Sequence, residues 1–373
     1  MRILHVTPRY FPNIGGTEIV AQKISETLVA KGFQAIVYSV DLNNNLPKEQ
    51  IINGVLVKRF RPILSDPYYI PEPKFIRAIR RENADIIHVH NIHIPLTLLT
   101  VLLKRGKQKI LLQPHYHRFG QTVFRHSLFK VYKYLLNNII FSCADVIIAN
   151  SIYEKRILQE DFSKCKNVIL LPEGIDTEEL KNVKQNSEEP KRVLYIGALK
   201  RYKNVDKIIE GFAMAVKETK EKMRLVIVGQ GPEWEFLNDL ARRLGIVGCI
   251  EWKHGLPRQQ LLQEYAKSSV FIMLSPLESF SRVVYEALLI GIPVVVLNFG
   301  ATKYLVDAGF AEGVNSLKPS EIADSLRRAL QGKYLKISRN VKSFLDWKEY
   351  SRRIINIYQE LLQDDDINHM NAE

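Results

Sequence analysis

The stretch from residue 270 to residue 297, VFIMLSPLESFSRVVYEALLIGIPVVVL, predicts the fold of this chain. It begins with an apolar, β-branched run and passes through a short polar loop. It continues with a helix-like segment and ends in a second apolar run. Apolar strands that alternate with helices are typical of parallel sheets buried on both faces. The same alternation runs through the rest of the chain, so we predict an α/β protein.

The length of the chain predicts its domain organisation. At 373 residues it is about twice the length of one ordinary domain. We predict two Rossmann-like domains with mostly parallel sheets that face each other across a cleft. The first domain covers residues 1–175, a polar linker covers residues 176–191, and the second domain covers residues 192–346. A C-terminal helix at about residues 347–363 is expected to pack back on the first domain.

Composition excludes several classes of protein. Apolar residues make up 46% and charged residues 25% of the chain, which are globular proportions. No stretch approaches the roughly 18–20 uninterrupted apolar residues that a membrane-spanning helix needs. The three cysteines lie far apart and show neither zinc-ligand spacing nor a disulfide framework. We therefore expect a cytoplasmic protein.

The charge of the chain is concentrated in its first half. Residues 1–172 contain 24 Lys and Arg against 12 Asp and Glu, whereas residues 173–373 contain 29 against 28. This asymmetry predicts an anionic partner for the first half. Nucleic acid is disfavoured, because no helix-turn-helix, RNP-like or zinc-finger pattern accompanies the charge.

Residues 122–141 have the apolar period of a helix, with basic residues on the opposite face. The basic face consists of Arg125, His126, Lys130 and Lys133. One interpretation is a core-packing helix with a solvated basic face. The other, which the charge of this half favours, is contact with an anionic lipid surface or a lipid-linked acceptor. The protein would then be peripheral on the cytoplasmic face of the membrane.

Three familiar ligand motifs fail on inspection. Gly229-Gln-Gly231 follows a strand, but Trp234 occupies the third glycine position of a dinucleotide fingerprint. No Gly-x4-Gly-Lys-Ser/Thr segment exists, which disfavours a P-loop NTPase. The histidines His88, His90 and His93 suggest a metal site, but they lack an acidic or thiol partner nearby in the sequence. We expect no metal and no NAD or FAD.

The strongest chemical signal is a pair of acids, Glu278 and Glu286, separated by seven residues. Glu278 falls in the loop after a strand, and Glu286 falls about one turn into the next helix. The start of that helix, near Phe280 and Ser281, offers free backbone N–H groups to a diphosphate. Glu286 could accept hydrogen bonds from a ribose diol, and Glu278 could meet sugar hydroxyls. The alternative is a salt-bridged surface helix.

The chain resembles the retaining glycosyltransferases of family 4, which have the GT-B fold. The resemblance covers nearly the whole length and is carried by RILHVTPRYFPNIGGTE, ADIIHVHN, ILLPEGID, VLYIGALKRYKNVDKIIEGF, LVIVGQGPE and ESFSRVVYEALLIGIPVV. It implies a nucleotide diphosphate sugar as donor, independence from divalent metal and no cofactor.

Several residues take roles from this resemblance. Gly15 and Gly16 follow the first strand, where bare backbone could approach the donor, although an ordinary turn also explains them. Lys203 matches the family lysine that neutralises the leaving diphosphate. Arg201 is its helper, and both follow a strand end at Gly197, where open α/β sheets bind ligands.

The first half contributes a histidine to the expected catalytic group, which comprises Glu278, His115 and Lys203. His115 occupies the place of a family histidine that faces the donor sugar, and His117 is the competing assignment. A strand-end histidine bonded to backbone is the structural alternative.

Two residues depart from the family pattern. Ala198 stands where the family has an arginine, so one phosphate clamp is missing unless Lys200 or Arg201 replaces it. Ser281 replaces a glycine; it can offer its backbone N–H and cap the helix, but a positive φ there would cost about 1 kcal/mol or more.

The sequence therefore predicts a hexosyltransferase that uses a UDP- or GDP-linked sugar and a glycan or lipid-linked acceptor. Two alternatives remain open. A nucleotide-sugar 2-epimerase of the same fold would consume donor without an acceptor. A non-catalytic nucleotide-sugar or membrane-binding protein would bind the donor without turnover.

Overall fold

The computed structural model describes residues 1–13, 15–64, 68–119, 138–186, 189–219, 222–332 and 345–370, with side chains up to residue 363. It divides into two compact units. Unit 1 comprises Met1–Gly174 and Leu345–Glu373, and unit 2 comprises Ile175–Phe344. The segment predicted as a linker, residues 176–191, lies within unit 2. It contains a short helix whose Leu180 is buried in the core of that unit.

Unit 1 is built on one large sheet. The strands of unit 1 are β1 (Arg2–Val6), β2 (Gln34–Val40), β3 (Glu49–Ile52), β4 (Val55–Phe60), β5 (Pro62–Leu64), β6 (Ile70–Pro71), β7 (Ile86–His90), β8 (Lys109–Gln113), β9 (Val146–Ala149) and β10 (Val168–Leu170). Eight of them pair in the order β10-β9-β8-β7-β1-β2-β4-β3, and only the β3–β4 pair is antiparallel within the described part of this sheet. Strands β5 and β6 form a separate hairpin.

Unit 2 contains a six-stranded, fully parallel sheet in its described residues. The strands are β11 (Lys191–Ile196), β12 (Met223–Val228), β13 (Ile250–Lys253), β14 (Val270–Met273), β15 (Val294–Leu297) and β16 (Glu312–Val314). They pair in the order β13-β12-β11-β14-β15-β16. The strand order reverses between β11 and β14, and open α/β sheets bind ligands at the carboxyl ends of strands at such a point.

Helices connect the strands of both units. Numbered along the chain, they are α1 (Gly16–Ala30), α2 (Pro73–Arg81), α3 (Pro95–Leu103), α4 (Ile152–Asp161), α5 (Thr177–Lys181), α6 (Val205–Glu218), α7 (Trp234–Arg243), α8 (Arg258–Lys267), α9 (Arg282–Ile290), α10 (Lys303–Asp307), α11 (Pro319–Leu330) and α12 (Trp347–Met370). No helix in the described part of the chain has the length and apolar character needed to cross a bilayer.

The sheet of unit 1 is buried on both faces, as its continuous apolar strands require. Ile3 and Leu4, adjacent in β1, belong to cores on opposite faces. Helices α1 and α12 cover the Ile3 face, where Tyr350 and Tyr358 of α12 are fully buried. Gly174 lies so close to Trp347 that a Cβ atom would approach its ring to 2.6 Å. The chain therefore returns to unit 1 through tight, apolar packing.

The predicted α/β fold class, with two Rossmann-like units of mostly parallel strands, is confirmed. In the quoted stretch from residue 270 to residue 297, the two apolar runs form β14 and β15, and the segment between them forms α9, as predicted. The antiparallel edge strand β3 carries no such apolar run. Glu49–Ile52 is largely exposed, so its sequence lacks the apolar run that marks a central strand.

Candidate functional site

The first group of candidate residues in unit 2 is an ion pair. The Nζ atom of Lys203 lies 2.5 Å from Oε1 of Glu278, and about 85% of each side chain is buried. Burial lowers the pKa of Lys203, but the Glu278 carboxylate raises it more, so its net pKa lies above the usual value. Asn204 fixes the lysine loop by donating from Nδ2 to the Leu274 carbonyl, 2.8 Å away. A permanent cation thus lies beside a carboxylate at the ends of β11 and β14.

The loops after β11 and β12 touch through bare backbone. A Cβ atom on Gly229 would lie 1.9 Å from the Gly197 carbonyl oxygen, and one on Gly231 would lie 2.3 Å from the Leu199 oxygen. Gly197 N and Leu199 N donate to Val228 O and Gln230 O across the same contact. The Gly-Gln-Gly segment, which failed as a dinucleotide fingerprint, therefore serves loop packing.

Ala198 stands where the family has an arginine, and its methyl side chain offers no hydrogen bond to a phosphate. The Ala198 carbonyl accepts a hydrogen bond from the Tyr195 hydroxyl at 3.1 Å. Arg201, the expected helper, lies 3.7 Å from Glu233 and over the ring of Phe236. Its side chain is 64% exposed, so it could leave this weak pairing for a stronger anion.

Ser281 immediately precedes α9 and adopts a left-handed conformation, with φ of 70° and ψ of 65°. The expectation that its hydroxyl caps the helix is wrong, because no cap hydrogen bond forms and the buried Oγ has no partner. The left-handed backbone turns the side chain away from the first helical N–H groups. Phe280, the neighbouring candidate, is buried and stacks on Tyr285 with ring centroids 4.4 Å apart.

Glu286 in α9 is held from two sides. Its Oε1 lies 2.9 Å from Nη1 of Arg258, and its Oε2 accepts from the Tyr265 hydroxyl at 3.0 Å. Arg258 also donates from Nε to Glu179 at 2.8 Å. Burial lowers the pKa of Arg258, but the Glu286 and Glu179 carboxylates raise it more. Glu286 therefore does make an ion pair, as the structural alternative of a salt-bridged helix requires, but its side chain is buried rather than on the surface.

In unit 1, the glycine pair lies at the start of α1. Gly15 is the residue before the helix, and a Cβ atom there would lie 2.3 Å from Oε2 of Glu18. A Cβ atom on Gly16 would meet nothing within 4 Å. The buried Glu18 carboxylate pairs with Arg9 at 2.7 Å. Gly15 thus gives room to a buried ion pair, while Gly16 leaves its backbone accessible.

His115 lies beyond β8 in a left-handed conformation, with φ of 48°. Its Nδ1 is 3.2 Å from Nδ2 of Asn150 and 3.6 Å from Oε1 of Glu173. The three residues follow β8, β9 and β10, whose carboxyl ends meet at one edge of the sheet. His117 instead bonds the Phe119 carbonyl through Nδ1 and stacks on His93.

The structure groups the histidines differently from the predicted set His88, His90 and His93. His93 stacks with His117 and contacts the His115 carbonyl, and His5 takes its place beside His88 and His90. We call His5, His88 and His90 the three-histidine cluster. It forms because His5 and His88 are register partners on β1 and β7, and His90 shares their face.

The three-histidine cluster is fully buried and uncharged. Burial lowers the pKa of His5 to about 3 and those of His88 and His90 well below the usual value. Their candidate ligand atoms lie within 4.8 Å of one another. However, the rings of His88 and His90 stack 4.1 Å apart at 23°, so their in-plane lone pairs run side by side. Nδ1 of His5 lies 3.1 Å from Nε2 of His90, so these two ring nitrogens are within hydrogen-bond distance of each other.

Some site residues had no sequence signal, and some predicted residues lie outside the described structure. Arg258 and Tyr265 could not be assigned to Glu286 because they lie on a different helix. Glu173 lies in the quoted ILLPEGID segment, so a signal for it existed. The predicted basic residues of the 122–141 helix, Arg125, His126, Lys130 and Lys133, fall outside the described residues.

Comparisons with known proteins agree with this architecture. The family "Glycosyl transferases group 1" matches residues 176–353, and "Glycosyltransferase Family 4" matches residues 14–179. N-acetyl-alpha-D-glucosaminyl L-malate synthase of Bacillus anthracis is 27% identical over 332 residues, covering 82% of this chain and 84% of that protein.

Solved structures with the same fold include two glycosyltransferase neighbours. Sucrose-phosphate synthase from Thermosynechococcus elongatus superposes with a TM-score of 0.79 at 18% identity, covering 97% of this chain and 99% of that one. HepE from Anabaena, solved in complex with UDP and glucose, gives a TM-score of 0.73 at 16% identity, covering 96% and 100%.

Proposed function

Because the chain belongs to glycosyltransferase family 4 and has the GT-B fold, we propose that it transfers a hexose from a UDP- or GDP-linked sugar. The acceptor is a glycan or a lipid-linked molecule, and transfer retains the anomeric configuration without a divalent metal. The observation that carries the proposal is the buried Lys203–Glu278 pair beside the start of α9, with Glu286 one turn into that helix. Lys203 and the helix start offer positive charge to a diphosphate, and the two glutamates offer acceptors to hydroxyl groups.

Lys203 supplies positive charge for the leaving diphosphate in this proposal. The ammonium is already protonated and buried, so no ionisation step precedes donor binding. Its ion pair with Glu278 keeps the cation in place until a more highly charged diphosphate competes for it. The start of α9 adds backbone N–H groups on the same side of the sheet. Together they perform the charge neutralisation that a metal ion performs elsewhere.

Glu286 binds the ribose diol in this proposal. Arg258 and Tyr265 each contact one of its oxygens, which fixes the carboxylate plane and leaves the remaining lone pairs for two hydroxyl groups. Burial raises the pKa of Tyr265 well above its usual value, so its hydroxyl keeps the hydrogen that it donates. The site therefore offers a rigid acceptor for a diol.

Glu278 orients the sugar and stabilises positive charge at the anomeric carbon. It is not proposed as a covalent nucleophile. The departing diphosphate takes the proton of the acceptor, which attacks the same face through an oxocarbenium-like state. The contribution of the protein is to hold the reactants together and to stabilise the leaving-group charge. His115 contributes a hydrogen bond to the donor sugar.

The basic first half binds an anionic membrane surface or lipid-linked acceptor in this proposal. Beyond the basic residues of the segment 122–141, for which the sequence predicts a helix, support comes from α2, whose sequence PKFIRAIRR contains no acid. Arg77, Arg80 and Arg81 are exposed and form no ion pair with any residue in the described ranges. Ile63 and Leu64 in the preceding hairpin are 61% and 48% exposed. Exposed arginines next to exposed aliphatic side chains suit a lipid headgroup region.

The membrane proposal is tested by vesicle co-sedimentation. Replacing Arg125, Lys130 and Lys133 with glutamine should weaken binding to anionic vesicles about 100-fold at low salt, at about 1 kcal/mol for each charge. The loss should shrink at high salt. A matched control replaces the exposed Arg242 and Arg243 of unit 2. If the control variant loses as much vesicle binding as the triple variant, or if the wild type does not bind vesicles, the membrane proposal is wrong and a soluble acceptor is favoured.

The donor assignment is tested by a thermal-shift panel of UDP- and GDP-sugars without added metal. A sugar nucleotide that binds the folded state at 100 times its Kd should stabilise the protein by about 2.7 kcal/mol. Lys203→Ala should abolish that shift. A shift that requires Mg²⁺, or one that persists unchanged in Lys203→Ala, would contradict the proposed donor site.

A further inference from the structure

We propose that Asn150, itself oriented by Gln113, is a positioning residue that keeps a hydrogen on Nε2 of His115. The consequence of this arrangement for sugar binding rests on the proposed function. The arrangement itself is a property of unit 1 alone and can be tested without any substrate.

A chain of buried amides determines which atom of Asn150 faces the histidine. Gln113, the last residue of β8, donates from Nε2 to Oδ1 of Asn150 at 2.6 Å and contacts the Tyr350 hydroxyl at 3.1 Å. Gln113 and Asn150 are fully buried. With its oxygen engaged, Asn150 turns its amide nitrogen toward His115, and Nδ2 lies 3.2 Å from Nδ1.

This contact selects one tautomer of the ring. An amide nitrogen carries two hydrogens and accepts none, so Nδ1 of His115 must be the acceptor. A neutral imidazole with an unprotonated Nδ1 carries its hydrogen on Nε2. The amide orientation is thus transmitted to the far side of the ring.

The backbone on either side of the contact is clamped by one carboxylate. Glu154, in the first turn of α4, accepts from Asn150 N at 2.7 Å and from Tyr116 N at 2.5 Å. Ser151 caps the same helix by accepting from Glu154 N. His115 and Asn150 are therefore fixed relative to each other, and the left-handed φ of His115 is held where its ring position matters.

Glu173 determines what happens when the ring takes up a second proton. Its Oε1 lies 3.6 Å from Nδ1, too far for a good hydrogen bond to the neutral ring but close enough to stabilise an imidazolium. Protonation at Nδ1 leaves the Nε2 hydrogen in place. The ring therefore presents Nε2–H in both charge states, and its chemistry is that of a hydrogen-bond donor. The matching ligand atom is a hydroxyl or ether oxygen of a sugar, not a proton to be abstracted.

The direct test is the side-chain NMR spectrum of protein labelled with ¹⁵N-histidine, with the His115 signal assigned by its loss in His115→Asn. At neutral pH the wild type should show a protonated Nε2 on His115. Asn150→Asp replaces the amide donor with a carboxylate acceptor, so it should bring a hydrogen to Nδ1. Asn83→Asp, an exposed asparagine of the same unit, should leave the signal unchanged.

Each outcome decides one of the two proposals. A wild-type His115 that is neutral and protonated on Nδ1 would overturn the inference, as would an unchanged signal in a folded Asn150→Asp variant. The wild-type spectrum decides the tautomer even if the variant does not fold. If the tautomer is as expected, Asn150→Asp should also lower kcat/KM for the donor about tenfold and shift its pH profile. If the spectra show the expected tautomer change but the pH profile of kcat/KM is unaffected, Asn150 does position the ring, and the proposed contact of His115 with the sugar is wrong.

Discussion

Replacing Ser281 with glycine is expected to stabilise unit 2, although the residue belongs to the candidate donor site. The backbone φ of 70° lies in the left-handed region, which costs a residue with a Cβ atom about 1 kcal/mol or more. The buried hydroxyl has no partner, and removing it recovers about 1 kcal/mol of desolvation. Glycine also lowers the stability by about 0.5–1 kcal/mol, because it gives the unfolded chain more conformational freedom. The expected net gain is about 1 kcal/mol.

Urea unfolding at neutral pH measures this gain as a higher midpoint at unchanged slope. Ser268→Gly is the matched control, because Ser268 has an ordinary φ of −85° and its hydroxyl donates to the Glu264 carbonyl at 2.6 Å. That variant should lose about 1–2 kcal/mol. Ser281→Ala keeps the Cβ atom and should fall between the wild type and Ser281→Gly. A Ser281→Gly variant as unstable as Ser268→Gly would refute the argument from strain.

Four further outcomes follow from the contacts described. Lys203→Ala should impair turnover severely while the fold stays intact, which circular dichroism and donor turnover together would measure. A variant that keeps its activity but loses stability would assign the lysine to a structural ion pair. Glu286→Ala should weaken donor binding by about 1.5–3 kcal/mol, or 10–100-fold in the Kd measured by calorimetry. Gly229→Ala places a Cβ atom 1.9 Å from a backbone oxygen, so urea unfolding should show a loss of about 2 kcal/mol or more. Acid should destabilise unit 1: below pH 6.5 the unfolded chain protonates the three-histidine cluster and the folded chain does not, which removes about 2 kcal/mol per histidine between pH 7 and pH 5. Glu154, whose pKa burial raises to about 8, acts in the opposite direction and offsets part of this loss, so the free energy of unfolding from urea titrations should still fall between pH 7 and pH 5.

The positions of the candidate donor residues in the fold were largely predictable because these residues lie in local strand–loop–helix units. Glu278 and Glu286 are placed by β14 and α9, whose boundaries follow from the apolar runs on either side. Lys203 follows β11 in the same way. What the sequence could not supply is partner choice: Arg258 reaches Glu286 from a separate helix, and no periodicity encodes that contact.

Unit 1 was less predictable, because its polar residues are assembled by strand order. His5 and His88 are 83 positions apart and become neighbours only through the β1–β7 register. Gln113, Asn150 and Glu173 follow three successive strands of the sheet, and their contacts depend on which amide atom faces which partner. A pattern of residue types predicts the strands but not such orientations. The left-handed φ of His115 could not be predicted either, because even histidine, which is enriched in that region, adopts it only in a small minority of cases.

The central claim, that Lys203 and its surroundings in unit 2 bind and activate a nucleotide diphosphate sugar for transfer, is tested most directly by one turnover measurement. The wild type and Lys203→Ala are incubated with labelled UDP- and GDP-sugars, a lipid extract and a metal chelator. Nucleoside diphosphate release and label transfer are then followed together. We expect the wild type to release nucleoside diphosphate in step with acceptor labelling despite the chelator. We expect Lys203→Ala to do neither while remaining folded. Donor consumption without an acceptor, or release that Lys203→Ala retains, would contradict it.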